Sequence, residues 1–209
     1  MTEEKDCLNI FNNFSQIEIR YPDIKKWKIE NYGYKERLKV LHEKSRLFNI
    51  LKPKGKNLLL NINEDDEVLS WIDSLYLINE TFKKVNTIIQ EKAKLIQEYV
   101  IPYTNNNRVD FIIAIENKIA IIEFAYHIDD FIKKANQCLA YKEIIKQQVN
   151  ENIKFYSYIF SYTNCVEQTK NCQSKLETQI NDFKTFIETY LKPTNAFDEL
   201  TKIKQIKQH

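Results

Sequence analysis

Residues 99–127 read YVIPYTNNNRVDFIIAIENKIAIIEFAYH, and this stretch decides the fold. It holds three β-rich runs with polar breaks at Thr104–Asn107 and Glu116–Lys118. Asparagine tolerates left-handed backbone, so Asn105 to Asn107 can turn the chain where glycine is missing. Three runs joined by short turns predict an antiparallel meander. The second and third, FIIAI and IAIIEF, are apolar on both faces, as central strands covered on both sides are. Downstream, residues 128–149 return to helical spacing, Lys154 to Tyr162 (KFYSYIFSY) reads as a fourth strand, and Ser174 to Leu191 as a helix. Upstream, apolar residues from Val68 to Ile96 recur every three or four positions. They predict a long helix over 65–97 that breaks once near Asn79. Tyr34 to Ile50 is helical by the same rule, and residues 52–56 (KPKGK) read as a basic loop. The expectation is an α/β fold with a αβββαβ core and a mixed central sheet flanked by helices. It divides into an N-terminal, mainly helical lobe (1–60) and a main domain (61–209).

Composition narrows the chemistry. Only two glycines and four prolines occur in 209 residues. A P-loop and a dinucleotide fingerprint both need clustered glycines, so neither can be built, and an all-β fold rich in tight turns is disfavoured. The chain is 43% hydrophobic and 29% charged, enough for one full core or one domain with an appended lobe. A net charge of +2 leaves any basic surface to local clustering. No basic segment precedes an apolar run at the N-terminus and no stretch approaches a membrane span, so the expected compartment is the cytoplasm, with no membrane partner. The four cysteines have 130, 26 and 6 residues between them, without the close pairing of zinc ligands. They read as reduced, partly buried thiols.

Two carboxylates lie where burial disfavours them. Asp110 starts VDFIIAI and Glu123 lies inside IAIIEFAY, with twelve residues between them. That length suits adjacent hairpin strands, so the two can meet on one face. Converging carboxylates suit a hard divalent cation, Mg²⁺ or Mn²⁺. The other reading is a salt bridge from one carboxylate to Arg108 or a lysine, with the second at a solvated strand end. Positions 123 and 125 share a face of their strand, and Gln137 and Tyr141 share one side of the following helix.

In Asp110, Glu123-Phe124-Ala125 and Gln137-Cys-Leu-Ala-Tyr141, the sequence resembles the PD-(D/E)XK nuclease superfamily over roughly residues 65–190. That family has an αβββαβ core with an aspartate on the second strand and E-x-K on the third. Its exonuclease-like branch adds Q-x-x-x-Y on the next helix. The resemblance implies metal-assisted phosphodiester hydrolysis, with Asp110 and Glu123 as ligands and the Phe124 carbonyl beside them. It also implies a further acid on the preceding helix, for which Glu67, Glu80, Glu91 and Glu98 qualify and Glu80 is taken. Gln137 and Tyr141 would position the phosphate or terminal nucleotide.

Ala125 departs from the pattern, because the family places a lysine there. Three explanations stand: an engineered lysine-to-alanine knock-out, favoured because every other position is intact; a natural member that binds without cutting; or a lysine relocated to Lys118, Lys133 or Lys134. Lys118 lies seven positions up the same strand, about 20 Å away in extended chain. His127 reads as a surface histidine. Basic segments at 25–28, 35–46 and 52–56, interleaved with aromatics, either track a phosphate backbone or are solvated helix faces. The expected function is a metal-dependent nuclease acting on DNA more than RNA, exo- or endonucleolytic. The alternative is an inactive nuclease-fold module that binds nucleic acid, a protein partner or its own copy. A third is a subunit of a larger assembly, such as a helicase–nuclease or phage-defence system.

Overall fold

In a computed structural model of the chain, the structure describes residues 6–29, 34–44, 46–57, 65–125, 129–162 and 172–194. The meander forms as the sequence predicts. β3 (Arg108–Ile115) pairs antiparallel with β2 (Lys94–Val100) on one side and with β4 (Lys118–Ala125) on the other. Asn106 turns the first hairpin at φ 58° and Glu116 the second at φ 52°. β5 (Lys154–Ser161) lies parallel to β4. A parallel neighbour needs a crossover, and α6 (Asp130–Gln148) supplies it. β1 (Asn9–Phe11) pairs antiparallel with β2, giving a five-stranded mixed sheet in the order β1-β2-β3-β4-β5.

Helices cover both faces. On one, Phe111, Ile113, Ile115, Ile122 and Phe124 pack with α4 (Asp65–Phe82) and α7 (Cys172–Tyr190). Ile112 and Ile121 face the other way, against Cys138, Tyr141 and Ile145 of α6. This double covering explains the unbroken apolar runs of β3 and β4. Each fully buried Ile or Phe contributes about 1.5–3 kcal/mol. Among the described residues no helix is long and apolar enough to cross a membrane.

The structure corrects the sequence reading upstream of residue 99. The helical stretch expected over 65–97 does break once, after Phe82, close to the expected Asn79; α5 (Thr87–Lys92) continues it, but the chain is extended from Lys94. Ala93 and Ile96 fit a helical step, but Leu95 is buried opposite Ile113 in the sheet, and the ladder with β3 overrides the local period. The loop expected at 52–56 lies within α3 (Arg46–Asn57), with Pro53 inside the helix. Leu47, Leu51 and Gly55 are buried at four-residue steps, so this face docks on the core and outweighs the missing Pro53 N–H.

The described segments before residue 60 pack on the same sheet and core as the rest. β1 belongs to the sheet, and α1 (Ser15–Arg20), a 3₁₀ turn (Pro22–Lys26), α2 (Tyr34–Lys44) and α3 share the α4 core. Phe11, Ile17, Tyr21, Ile24, Trp27, Leu41 and Leu51 join Leu75, Phe111 and Phe183 in one cluster. A buried polar lock ties β1 to β2: Asn9 donates to Gln97 at 2.8 Å, and Gln97 donates to the Trp71 carbonyl at 2.9 Å.

Candidate active site

The β3–β4 ladder runs from Ile115↔Lys118 to Phe111↔Ile122. One step further Asp110 faces Glu123, and there side chains replace ladder bonds. The Asp110 amide donates to Glu123 Oε1 at 3.3 Å, and the Phe124 amide donates to Asp110 Oδ2 at 2.8 Å. Each carboxylate thus satisfies a backbone donor on the other's strand, as buried N–H groups require. The convergence expected from the sequence is present.

Lys134 stands at the focus of the two carboxylates. Its Nζ lies 2.9 Å from Asp110 Oδ2 and 2.7 Å from Glu123 Oε2. It projects from α6, where Lys134, Cys138 and Tyr141 fall at steps of four and three and so share one side. Cys138 and Tyr141 are buried against the sheet, and the packing that docks the helix therefore also aims the ammonium. Glu123 is almost wholly buried, whereas Asp110 and Lys134 keep about a fifth of their side chains in solvent. Burial, reinforced by the Asp110 charge, pushes the Glu123 carboxyl up to about 8, and Lys134 offsets only part of that. Burial alone would lower Lys134, but Asp110 and Glu123 outweigh it and hold the ammonium charged. Burial and Glu123 also raise the Cys138 thiol to about 12, so it is an inert neighbour.

More acids surround this centre. The pairs Gln97↔Phe111 and Tyr99↔Val109 place Glu98 opposite Asp110, so Glu98, Asp110 and Glu123 lie on one rung across β2, β3 and β4. Glu98 is buried and takes φ 53°, a left-handed conformation that costs a non-glycine residue about 1–2 kcal/mol. Burial and the neighbouring Asp110 charge push its carboxyl well up, against Arg108. Arg108 joins the elements: its guanidinium pairs with Glu67 at the start of α4, and its Nε lies 3.5 Å from Glu98 Oε2.

The other expected positions divide. Tyr141 is buried beneath the sheet and Gln137 is half-buried one turn from Lys134. Ala125 is fully buried at the end of β4, and its carbonyl accepts from Tyr162 N at 3.2 Å. Phe124 turns its ring to the opposite face, against Phe111 and Phe160, and offers its amide to the site. Glu80 is not at the site. It lies in the last turn of α4, thirteen residues from Glu67, and pairs with Lys83 at 2.7 Å. At 1.5 Å per residue that is about 20 Å along the helix. Glu91 is exposed on α5, and Glu98 is on a strand, not on a helix. Lys118 binds the Lys192 carbonyl at the far end of β4, and Lys133 is exposed. His127 falls outside the described residues.

Asp110 and Glu123 offer the all-oxygen donors a hard cation takes, and both already coordinate one positive charge at a common point. Among the described residues no three His, Cys, Asp or Glu side chains draw close enough to ligate one ion. A Mg²⁺ site does not require three, since Mg²⁺ keeps several waters and is often held by one or two carboxylates. The donor set therefore fits such an ion once the ammonium moves aside. No family model, curated protein or solved structure matches the chain.

Proposed function

We propose that the chain is a metal-dependent phosphodiesterase of the PD-(D/E)XK type, acting on DNA first and RNA second, with Lys134 in place of the strand lysine. One observation carries this reading: the ammonium shared between Asp110 and Glu123 at 2.9 and 2.7 Å. The order α4-β2-β3-β4-α6-β5 agrees with an αβββαβ core, with Asp110 on its second strand and Glu123 on its third. It makes an engineered loss at Ala125 unnecessary, because a lysine from α6 already reaches the carboxylates.

A bound divalent ion would polarise the phosphate and acidify a water. The chain's own groups do the rest. Asp110 and Glu123 would hold the ion from two strand ends that the sheet keeps rigid. Lys134 would then offer its charge to the phosphate oxygens. Tyr141 and Gln137 orient the substrate along α6. Arg108 pairs with Glu67 and faces Glu98, so the acids beside the site are partly offset.

The test is cleavage of labelled DNA and RNA in Mg²⁺ or Mn²⁺ by the chain, by Lys134→Ala, and by Lys134→Ala combined with Ala125→Lys. The expected outcome is cleavage by the chain, a loss of roughly 10²–10⁴-fold in Lys134→Ala, and partial recovery in the double variant. A second reading rests on the same contact: the ammonium itself neutralises the carboxylates, and the fold binds nucleic acid or protein without cutting. It prevails if the chain cuts nothing and calorimetry detects no ion.

A further inference from the structure

The turn between β2 and β3 is tightly built yet presents an aromatic ring to solvent. Ile101 N donates to the Asn107 carbonyl at 2.9 Å, Thr104 Oγ1 to the Ile101 carbonyl at 2.8 Å, and Asn107 N to Thr104 Oγ1 at 3.2 Å. On this frame Tyr103 takes φ 64° and is 100% exposed. Among the described residues nothing packs on the ring.

Asn107, at the end of the same turn, forms one wall of a groove of about 670 Å³. The other wall is α6, with Ile132, Lys133, Asn136, Gln137 and Tyr141. That volume is in the range of small-ligand sites, ~300–1,000 Å³, and an exposed ring such as that of Tyr103 stacks on a base face, which an unpaired strand presents and a duplex hides. Three carboxamides (Asn107, Asn136 and Gln137) offer the paired donors and acceptors that read base edges. Gln137 Oε1 is a buried acceptor without a partner among the described residues. Ile132, 74% exposed, adds an apolar contact, and the lining carries one cation, Lys133, and one anion, Asp129. Such a lining favours bases over phosphates. The groove borders the carboxylate centre along α6, where Gln137 and Tyr141 lie one and two turns beyond Lys134.

We infer that this groove receives a single-stranded polynucleotide beside the cleaved phosphate, with Tyr103 stacking on a base at the turn. The inference rests on the phosphodiesterase reading and narrows it to unpaired substrates or unpaired ends. The test is fluorescence anisotropy in EDTA, using the full chain with a labelled single-stranded 12-mer and the matching duplex. The single strand should bind more tightly than the duplex. Tyr103→Ala should weaken it roughly 5- to 150-fold, the worth of one stacked base, whereas Tyr103→Phe should keep it. Duplex binding equal to the single strand's, or a Tyr103→Ala change under two-fold, overturns the inference. So does self-association through α6 that Ile132→Glu abolishes while single-strand binding stays unchanged. Cleavage is scored separately in Mg²⁺. A chain that binds through Tyr103 but never cuts loses the phosphodiesterase and keeps the groove; one that cuts without needing Tyr103 does the opposite.

Discussion

Two places in the molecule bury charge, and they do so differently. Beneath α4, Arg37 pairs with Asp73 at 2.9 Å, both side chains are about 1–2% exposed, and Trp27 Nε1 donates to the second carboxylate oxygen at 2.8 Å. Here a cation meets an anion, and an aromatic N–H donates to the same carboxylate. Across the sheet, Lys134 is the one cation paired with Asp110 and Glu123 among the described residues, with buried Glu98 on the same rung, and the cluster keeps a solvent-facing side. A balanced, closed pair fixes how α2, α4 and the 3₁₀ turn pack. The open cluster sets two carboxyls, with Glu98 on the same rung, against one lysine, and a further cation would favour their ionised forms. Imbalance with access is what separates a chemical site from a rivet, since excess buried charge costs stability unless something else uses it.

Removing one charge from each cluster should therefore give opposite results. Asp110→Asn should lower cleavage roughly 10³-fold, the several kcal/mol a metal ligand contributes to the transition state. Its melting temperature should stay level or rise, because the cluster loses an excess charge. A similar fall in Tm and activity together would mean that Asp110 is structural.

Arg37→Met should do the reverse. It leaves Asp73 ionisable and buried without its cation, at a cost of about 3–5 kcal/mol. At 2–4 °C per kcal/mol for a chain of this size, Tm should fall by roughly 6–20 °C. Adding Asp73→Asn should restore much of this, since the amide oxygen still accepts from Trp27. Failure of the second change to recover stability would show that Arg37 acts through packing and not through charge.

Glu98→Gly sharpens the contrast within the site. Glycine takes φ 53° without steric cost, and the change removes a buried acid. A gain of about 1 kcal/mol in urea unfolding is expected, with slower cleavage, as when strain is kept for function. A loss of stability would show that Glu98 is held by its pairing with Arg108.

How much of this was legible in the sequence follows from which forces were local. β3, β4 and their turns were readable because asparagines and doubly apolar runs leave few alternatives, and Asp110 and Glu123 stood out as acids in those runs. β2 was not, because Ala93 and Ile96 satisfy a helical step and only pairing with β3 decides between the two. α3 was not, because Pro53 and Gly55 signal a loop, and the opposing force is burial of Leu47, Leu51 and Gly55 against distant α4. Choosing Lys134 from Lys118, Lys133 and Lys134 needed the rotation of α6 about its axis, which Cys138 and Tyr141 set. Glu98 was legible as an acid but not as a member of the rung, since that depends on the β2–β3 register.

A third cluster has the opposite imbalance and gives the smallest effect. Glu18 on α1 meets two cations, Lys25 at 2.8 Å and Lys83 at 3.1 Å, and accepts from Asn79 at 3.0 Å. Burial opposes its ionisation, but these three partners outweigh it and hold the carboxyl at about 2. A carboxyl lowered in the folded state stabilises the fold above its ordinary value near 4.5, and the contribution is lost as pH falls from there towards 2. Both lysines are well exposed, so solvent screening reduces the effect to about 1 kcal/mol. Thermal melts at pH 7, 4 and 3 should show the chain losing that much more than Glu18→Gln, and 0.5 M salt should shrink the difference. An equal acid loss in both would place the sensitivity elsewhere. The exposed, cation-rich cluster would then contribute little to stability, and depth of burial, not the number of partners, would set what a charge cluster is worth in this fold.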